Sequence, residues 1–132
     1  MADAQVILIT GAGFGIGQAT AELLSSQGYH VFGTSRDPKR HGRRAYPLLE
    51  MDVHSDESVS SCVEHIMAQA GSIDALINNA GTGIAGAAEE TQLAEARMVF
   101  ETNFFGTIRV TNAVLPTMRK RRSGKIPRVP AL

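Results

Sequence analysis

Four apolar residues in succession, Val6-Ile7-Leu8-Ile9, read as the centre of a strand over residues 5–10 that is buried on both faces. Over residues 15–27 the period changes to that of a helix. Ile16, Ala19, Leu23 and Leu24 fall on one face of it, and Gly28 stops it. Residues 30–35 read as a second strand, after which residues 36–44 carry too much charge and too little periodicity for anything but a surface loop. A third strand is predicted over residues 46–53. Ser55 is placed to cap the next helix, with Asp56 and Glu57 in its first turn, and Val59, Cys62, Val63, Ile66, Met67 and Ala70 recur at intervals of three and four. Residues 73–78 give a fourth strand, followed by a loop rich in glycine and alanine over residues 79–88.

The last predicted element is a helix over residues 91–118, kinked before Pro116. It carries two apolar stripes, one of Val99, Gly106, Val110 and Val114, the other of Phe100, Phe104, Ile108, Leu115 and Met118. A helix apolar on two sides has two partners. The alternation of elements predicts an α/β fold with right-handed crossovers and a parallel sheet in the strand order 3-2-1-4. In such a sheet the order reverses between strands 1 and 4, and ligands bind beyond the strand ends at that point.

Those strand ends carry the candidate chemistry. Thr10-Gly11-Ala12-Gly13-Phe14-Gly15-Ile16-Gly17 links the first strand to the first helix, and its glycines permit a tight turn, a close phosphate and a closely packed helix. The helix that follows aims unpaired N–H groups and its positive dipole end at the same point. Asn78-Asn79-Ala80-Gly81 ends the fourth strand, so two segments far apart in sequence are expected side by side. Asn79, Ala80 and Gly81 offer a close backbone approach to a ligand, while Asn78 ties strands together.

Composition narrows the choices. In 132 residues, 13 basic and 13 acidic side chains cancel, which argues against a nucleic-acid partner or an anionic membrane surface. The basic run Arg119-Lys120-Arg121-Arg122 reads as compensation of a helix dipole with Gly124 beyond it. No apolar run approaches the length of a membrane span, and the first residues carry no basic group, so a cytoplasmic protein is the expectation. The single cysteine, Cys62, reads as a small core residue, and His30, His41, His54 and His65 show no metal-ligand spacing, so no metal site is expected.

With these motifs the chain resembles the short-chain dehydrogenase/reductase family. Thr10 to Gly17 matches its TGxxxGIG loop, Asp52-Val53 its adenine-contacting pair, Asn78 to Gly81 its NNAG, and Asn103 its helix asparagine, all in order. The resemblance covers residues 5–126, about the N-terminal half of a family member. It implies a Rossmann-like three-layer αβα domain, cut off before or at strand 5, over residues 1–126, with residues 127–132 as a tail foreign to the family. It assigns cofactor binding to Gly11, Phe14, Gly15, Ile16, Ser35, Arg36, Asp52, Val53, Asn79, Ala80 and Gly81. Asn103 would hold a water for proton relay. Two alternatives stand beside these roles: Asp52 as a cap for the next helix, and Asn103 as a partner for a neighbouring carbonyl.

Eighteen residues beyond Gly17, where members that use NAD present an acid to the ribose, stand Ser35 and Arg36. A hydroxyl and a guanidinium suit a 2'-phosphate, which points to NADP(H), although Asp37 is close enough to fold onto Arg36 or reach the ribose. The resemblance breaks after Gly124-Lys125-Ile126. Neither Tyr29 nor Tyr46 is followed four places on by lysine, and the prolines in Pro127-Arg128-Val129-Pro130-Ala131-Leu132 are incompatible with a central strand. Strand 4 is therefore expected to keep a bare edge. The implied activity is hydride transfer between NADP(H) and a small carbonyl or secondary alcohol, in a chain lacking the family's catalytic serine, tyrosine and lysine. The alternatives are a noncatalytic NADP-binding or interaction module and a fragment completed by a second chain. A homodimer through the 91–118 helix is expected, by the family's use of that helix and its second apolar stripe.

Overall fold

The structure, a computed structural model, describes residues 4–81 and 88–127. The first three residues, most of the loop expected over 79–88 and the tail from residue 128 lie outside the described residues. A four-stranded sheet runs in the order β3-β2-β1-β4, with β1 at Val6–Ile9, β2 at His30–Ser35, β3 at Leu48–Glu50 and β4 at Ala75–Ile77. Every pairing is parallel, with Leu8 level with Phe32 on one side and Leu76 on the other. Helices α1 (Gly15–Ser26), α2 (Asp56–Ala70), α3 (Leu93–Phe100) and α4 (Gly106–Arg121) complete the chain.

The unbroken apolar run of β1 is explained by its position. All four of its residues are buried, and alternate side chains enter two different cores. Val6 and Leu8 join Phe32, Met51, Leu76 and the inner faces of α2 and α4, whereas Ile7 and Ile9 join Val31, Ala12, Tyr46 and Ala21 of α1. The result is three layers, helix on sheet on helix. Cys62 lies in the first core, where burial pushes its thiol up to about 11 and keeps it inert.

Several expectations need correction. The strands β3 and β4 are shorter than the segments predicted for them, because Tyr46 and Met51 beside β3, and Ile73 and Asn78 beside β4, are buried from the flanking connections. In α1 the buried residues are Gly17 and Ala21, while Ile16 is 60% and Leu23 57% exposed and Ala19 faces solvent. The glycine turn brings the start of α1 so close to the sheet that only small residues fit beneath it there, while Leu24 farther along the helix packs against the same core as expected.

The long C-terminal helix does not end at Pro116. That residue lies on an exposed face, where the carbonyl it cannot serve meets water, and α4 runs on to Arg121. The break is a π-helical turn at Glu101–Phe105, whose wide spacing frees carbonyls; the Thr107 hydroxyl donates to that of Asn103 at 2.9 Å. Met118 belongs to the buried stripe with Gly106, Val110 and Val114. Helix α4 ends on Arg122 in the left-handed conformation, φ 54°, and Gly124 instead packs against Met118.

The expected bare edge of β4 is met in part. Lys125 forms a parallel bridge beside Ala75, accepting from Leu76 N–H at 2.9 Å and donating to Asp74 O at 3.1 Å. Asp74 fastens this end of the sheet. Its carboxylate accepts from Val6 N–H at 2.7 Å and from Arg121 at 2.8 Å. Burial alone would raise its pKa; the Val6 N–H and the Arg121 guanidinium outweigh that and hold it below the ordinary carboxylate value.

Candidate functional site

The carboxyl ends of β1 and β4 are joined by one buried hydroxyl. Thr10 Oγ1 accepts from both Asn79 N–H and Ala80 N–H at 3.0 Å, and Asn79 Nδ2 donates back to Gly11 O at 3.0 Å. Thr10 is 1% exposed, so these bonds form without competition from water. Beneath them Gly17 approaches the turn so closely that a Cβ would stand 2.1 Å from Gly11 O. Only glycine fits there.

Above the turn lies a cleft of about 520 Å³, within the range of small-molecule and cofactor sites. Gly15, with φ at +62°, turns the chain into α1, and a Cβ on it would meet nothing within 4 Å. Phe14 supplies no side-chain cap and the first turn of α1 contains no acidic residue. Its N–H groups and its positive dipole end are thereby left to whatever occupies the cleft. These features fit a phosphate group.

Gly11, Phe14, Gly15, Ile16, Ser35, Arg36, Val53, Asn79, Ala80 and Gly81 all line this cleft. Asp52 does not. Its carboxylate accepts from His54 N–H at 2.9 Å and closes the loop after β3, while the cap of α2 is Ser55, which accepts from Ser58 N–H at 3.1 Å. Asn103 sits in the π-helical turn behind Gly81, its Oδ1 3.1 Å from where a Cβ on Gly81 would lie. Asn78 donates to Thr111 Oγ1 at 3.2 Å and so ties β4 to α4 in place of a second strand.

Other residues reach the cleft without a signal in the apolar pattern. Arg40 and His41 come from the charged connection after β2, and the His41 ring stacks on Phe14 with centroids 6.4 Å apart. Met98 and Thr102 come from the helix beyond the loop, and Thr102 Oγ1 lies 2.5 Å from His54 Nε2. Arg109 steadies that wall by donating to Asp56 at 2.6 Å, to Glu101 at 3.3 Å and to Val53 O. Basic residues in a loop report charge but not direction. Arg36 is exposed and forms no ion pair with Asp37, whose N–H instead bonds Ser35 Oγ at 3.2 Å.

A parallel sheet with a glycine turn, an uncapped helix and an asparagine pair at its reversal point decides the family. Residues 5–129 match the family model for short chain dehydrogenase. The chain belongs to that family. It is 49% identical over 122 residues to 3-ketodihydrosphingosine reductase of Bacteroides thetaiotaomicron, covering 92% of this chain and 45% of the relative. Retinol dehydrogenase 8 of Bos taurus is 41% identical over 140 residues, covering 96% of this chain and 44% of that protein. Among solved structures, ElxO with NADP bound superposes with a TM-score of 0.90 at 28% identity, covering 97% of this chain and 56% of that one.

This short-chain dehydrogenase chain thus spans a little under half the length of the curated relatives it matches. Its family binds a nicotinamide dinucleotide, and the cleft at the β1/β4 reversal is where the fold presents phosphate-binding groups. No helix among the described residues is long and apolar enough to cross a membrane.

Proposed function

We propose that this chain binds NADP(H) in preference to NAD(H) and forms the cofactor-binding part of an oxidoreductase acting on a small carbonyl or secondary alcohol. The observation that carries the preference is the end of β2, where Ser35 and Arg36 stand at the cleft with Arg40 beside them, and Arg36 pairs with no carboxylate among the described residues, Asp37 of the same cleft wall included. Guanidinium groups favour the dianionic 2'-phosphate of NADP over the neutral hydroxyl of NAD by charge-assisted hydrogen bonds. The bound nicotinamide supplies hydride chemistry. The turn at residues 11–17 holds the pyrophosphate, Val53 contacts the adenine side, and Asn79, Ala80 and Gly81 carry the cofactor toward Asn103, which holds a water for proton relay.

Calorimetric titration with NADPH and NADH tests the reading. NADPH is expected to bind about tenfold tighter or more, and Arg36→Ala to remove most of that difference. Equal affinities in the native chain would overturn it.

A second reading concerns turnover. The sequence contains no tyrosine followed four places on by lysine, and the chain spans under half of its relatives. Cofactor binding without appreciable reduction of carbonyls is therefore expected of this chain, either as a binding module or until a further segment completes the site. NADPH consumption with a panel of aldehydes and ketones decides it, and rapid turnover that survives both Tyr29→Phe and Tyr46→Phe would refute it.

The α3–α4 region supports association with a second copy. Phe100, Phe104, Phe105 and Ile108 are exposed along one side of it, an apolar patch of the kind that marks interfaces. Light scattering is expected to show a homodimer, and Phe104→Glu to dissociate it. A monodisperse native monomer would refute the association.

A further inference from the structure

Two carbonyl oxygens of the glycine turn are held by side chains from the connection between β2 and β3. The Tyr46 hydroxyl donates to Ala12 O at 2.8 Å, and Arg44 Nη2 donates to Gly13 O at 2.5 Å. Arg44 Nη1 also donates to the Tyr46 hydroxyl oxygen at 3.2 Å, so the two act as one unit. Tyr46 is only 4% exposed and its ring is wedged against Gly33, where an added Cβ would lie 2.8 Å from Cε2. Neither Tyr46 nor Arg44 lines the cleft. They reach it through the backbone alone.

We propose that Arg44 and Tyr46 are positioning residues for pyrophosphate binding, turning the Ala12 and Gly13 carbonyls away from the cleft and thereby aiming the turn's N–H groups into it. The peptide unit is planar and trans, so fixing the Ala12 carbonyl fixes the Gly13 N–H on its opposite side, and fixing the Gly13 carbonyl fixes the Phe14 N–H. Each donor on a carbonyl also polarises the N–H of the same peptide, and the guanidinium adds charge assistance. Without these donors the buried Ala12 oxygen has no partner, and the turn gains a reason to rotate toward water. The inference rests on the dinucleotide reading of the cleft. It adds that the connection after β2 does more than line the adenosine side: it braces the phosphate floor from behind.

The test compares two ligands by calorimetry, ADP-ribose, which contains the pyrophosphate, and adenosine 2'-monophosphate, which does not. Tyr46→Phe and Arg44→Met are each expected to weaken ADP-ribose about tenfold while changing adenosine 2'-monophosphate by less than about twofold. Arg44→Lys, which keeps one donor, is expected to recover part of the loss. Because Tyr46 is buried, Arg44→Met also carries a readout free of ligand: the amide resonance of Phe14, whose N–H shares a peptide with the Gly13 carbonyl, is expected to move upfield as that N–H loses polarisation. Unchanged ADP-ribose affinity, equal loss of both ligands or an unmoved Phe14 amide resonance would overturn the proposal. A native chain that binds neither ligand would overturn the dinucleotide reading itself, an outcome distinct from native binding with insensitive variants.

Discussion

Helices α1 and α2 both begin at the carboxyl ends of strands, on opposite faces of one sheet, yet their first turns are built in opposite ways. Helix α2 is closed: Ser55 accepts from Ser58 N–H, and Asp56 and Glu57 answer its dipole. Helix α1 is open, with Phe14 at its cap position, no side-chain acceptor and no acid in its first turn. Capping by a short polar side chain is worth about 1 kcal/mol, so α1 forgoes that stabilisation in the free protein. The difference separates a helix end that serves the fold from one kept for an anion. The same distinction runs through the connecting segments. Asp52 and Arg109 satisfy groups around the start of α2, whereas Tyr46 and Arg44 beside the start of α1 donate to the Ala12 and Gly13 carbonyls of its turn.

The largest expected effect comes from destroying the open end altogether. Gly17→Val places a branched side chain where even a Cβ lies 2.1 Å from Gly11 O and 2.5 Å from Asn79 Nδ2. It is expected to cost about 3 kcal/mol or more in denaturant unfolding and to abolish NADPH binding in titration. A variant that stays as stable as the native chain would show that α1 does not need this contact.

A subtler change converts the open end into a closed one. Ile16 is exposed, so Ile16→Asp removes little packing and supplies the first turn of α1 with its own acid. NADPH affinity is expected to fall about tenfold to a hundredfold, with unfolding free energy unchanged within about 0.5 kcal/mol. Retained affinity would mean that the dipole end of α1 is not the phosphate site.

The converse substitution, Ser55→Ala, opens the closed end. It should cost about 1 kcal/mol of stability and leave NADPH affinity untouched, since Ser55 does not line the cleft. Thermal unfolding beside calorimetry checks both halves of that statement.

The smallest effect depends on pH and sits at the far edge of the sheet. Asp74 has a pKa held below its unfolded value, so its contribution is present above that unfolded value and is lost as pH falls through the folded one. Asp74→Asn is expected to cost about 1 kcal/mol at neutral pH. The gap between native and variant should close in acid, below the ordinary carboxylate range. A gap that does not depend on pH would assign the effect to packing instead of charge.

Much of this was legible in one dimension because it depends on local rules. The apolar run of β1 is continuous because a central parallel strand is covered on both faces, and Ser55 with Asp56 and Glu57 announces a helix start by chemistry acting within one turn. The strand order and the meeting of residues 10–17 with residues 78–81 follow from crossover handedness. Other features depend on what stands opposite. Periodicity places Ile16, Ala19 and Leu23 on an inner face of α1, but the closeness of Gly17 to Gly11 turns the small residues inward. Met118 joins the inner stripe because it follows Gly106, Val110 and Val114 at intervals of four within α4, whereas the π-helical turn before that helix is announced by no residue type.

By itself, then, the amino-acid sequence determined the alternation of elements, the parallel sheet and its order, the glycine turn and the family. Hydrophobic period, capping residues and handedness are properties of a chain read locally. Only the tertiary structure decided which of several arginines meets which oxygen. Arg36, Arg40 and Arg44 are alike in a charged run, yet two of them line the cleft and the third grips Gly13 O beneath it. Direction of that kind is set by where the backbone after β2 turns relative to β1, a relation between segments about thirty residues apart that no local pattern encodes.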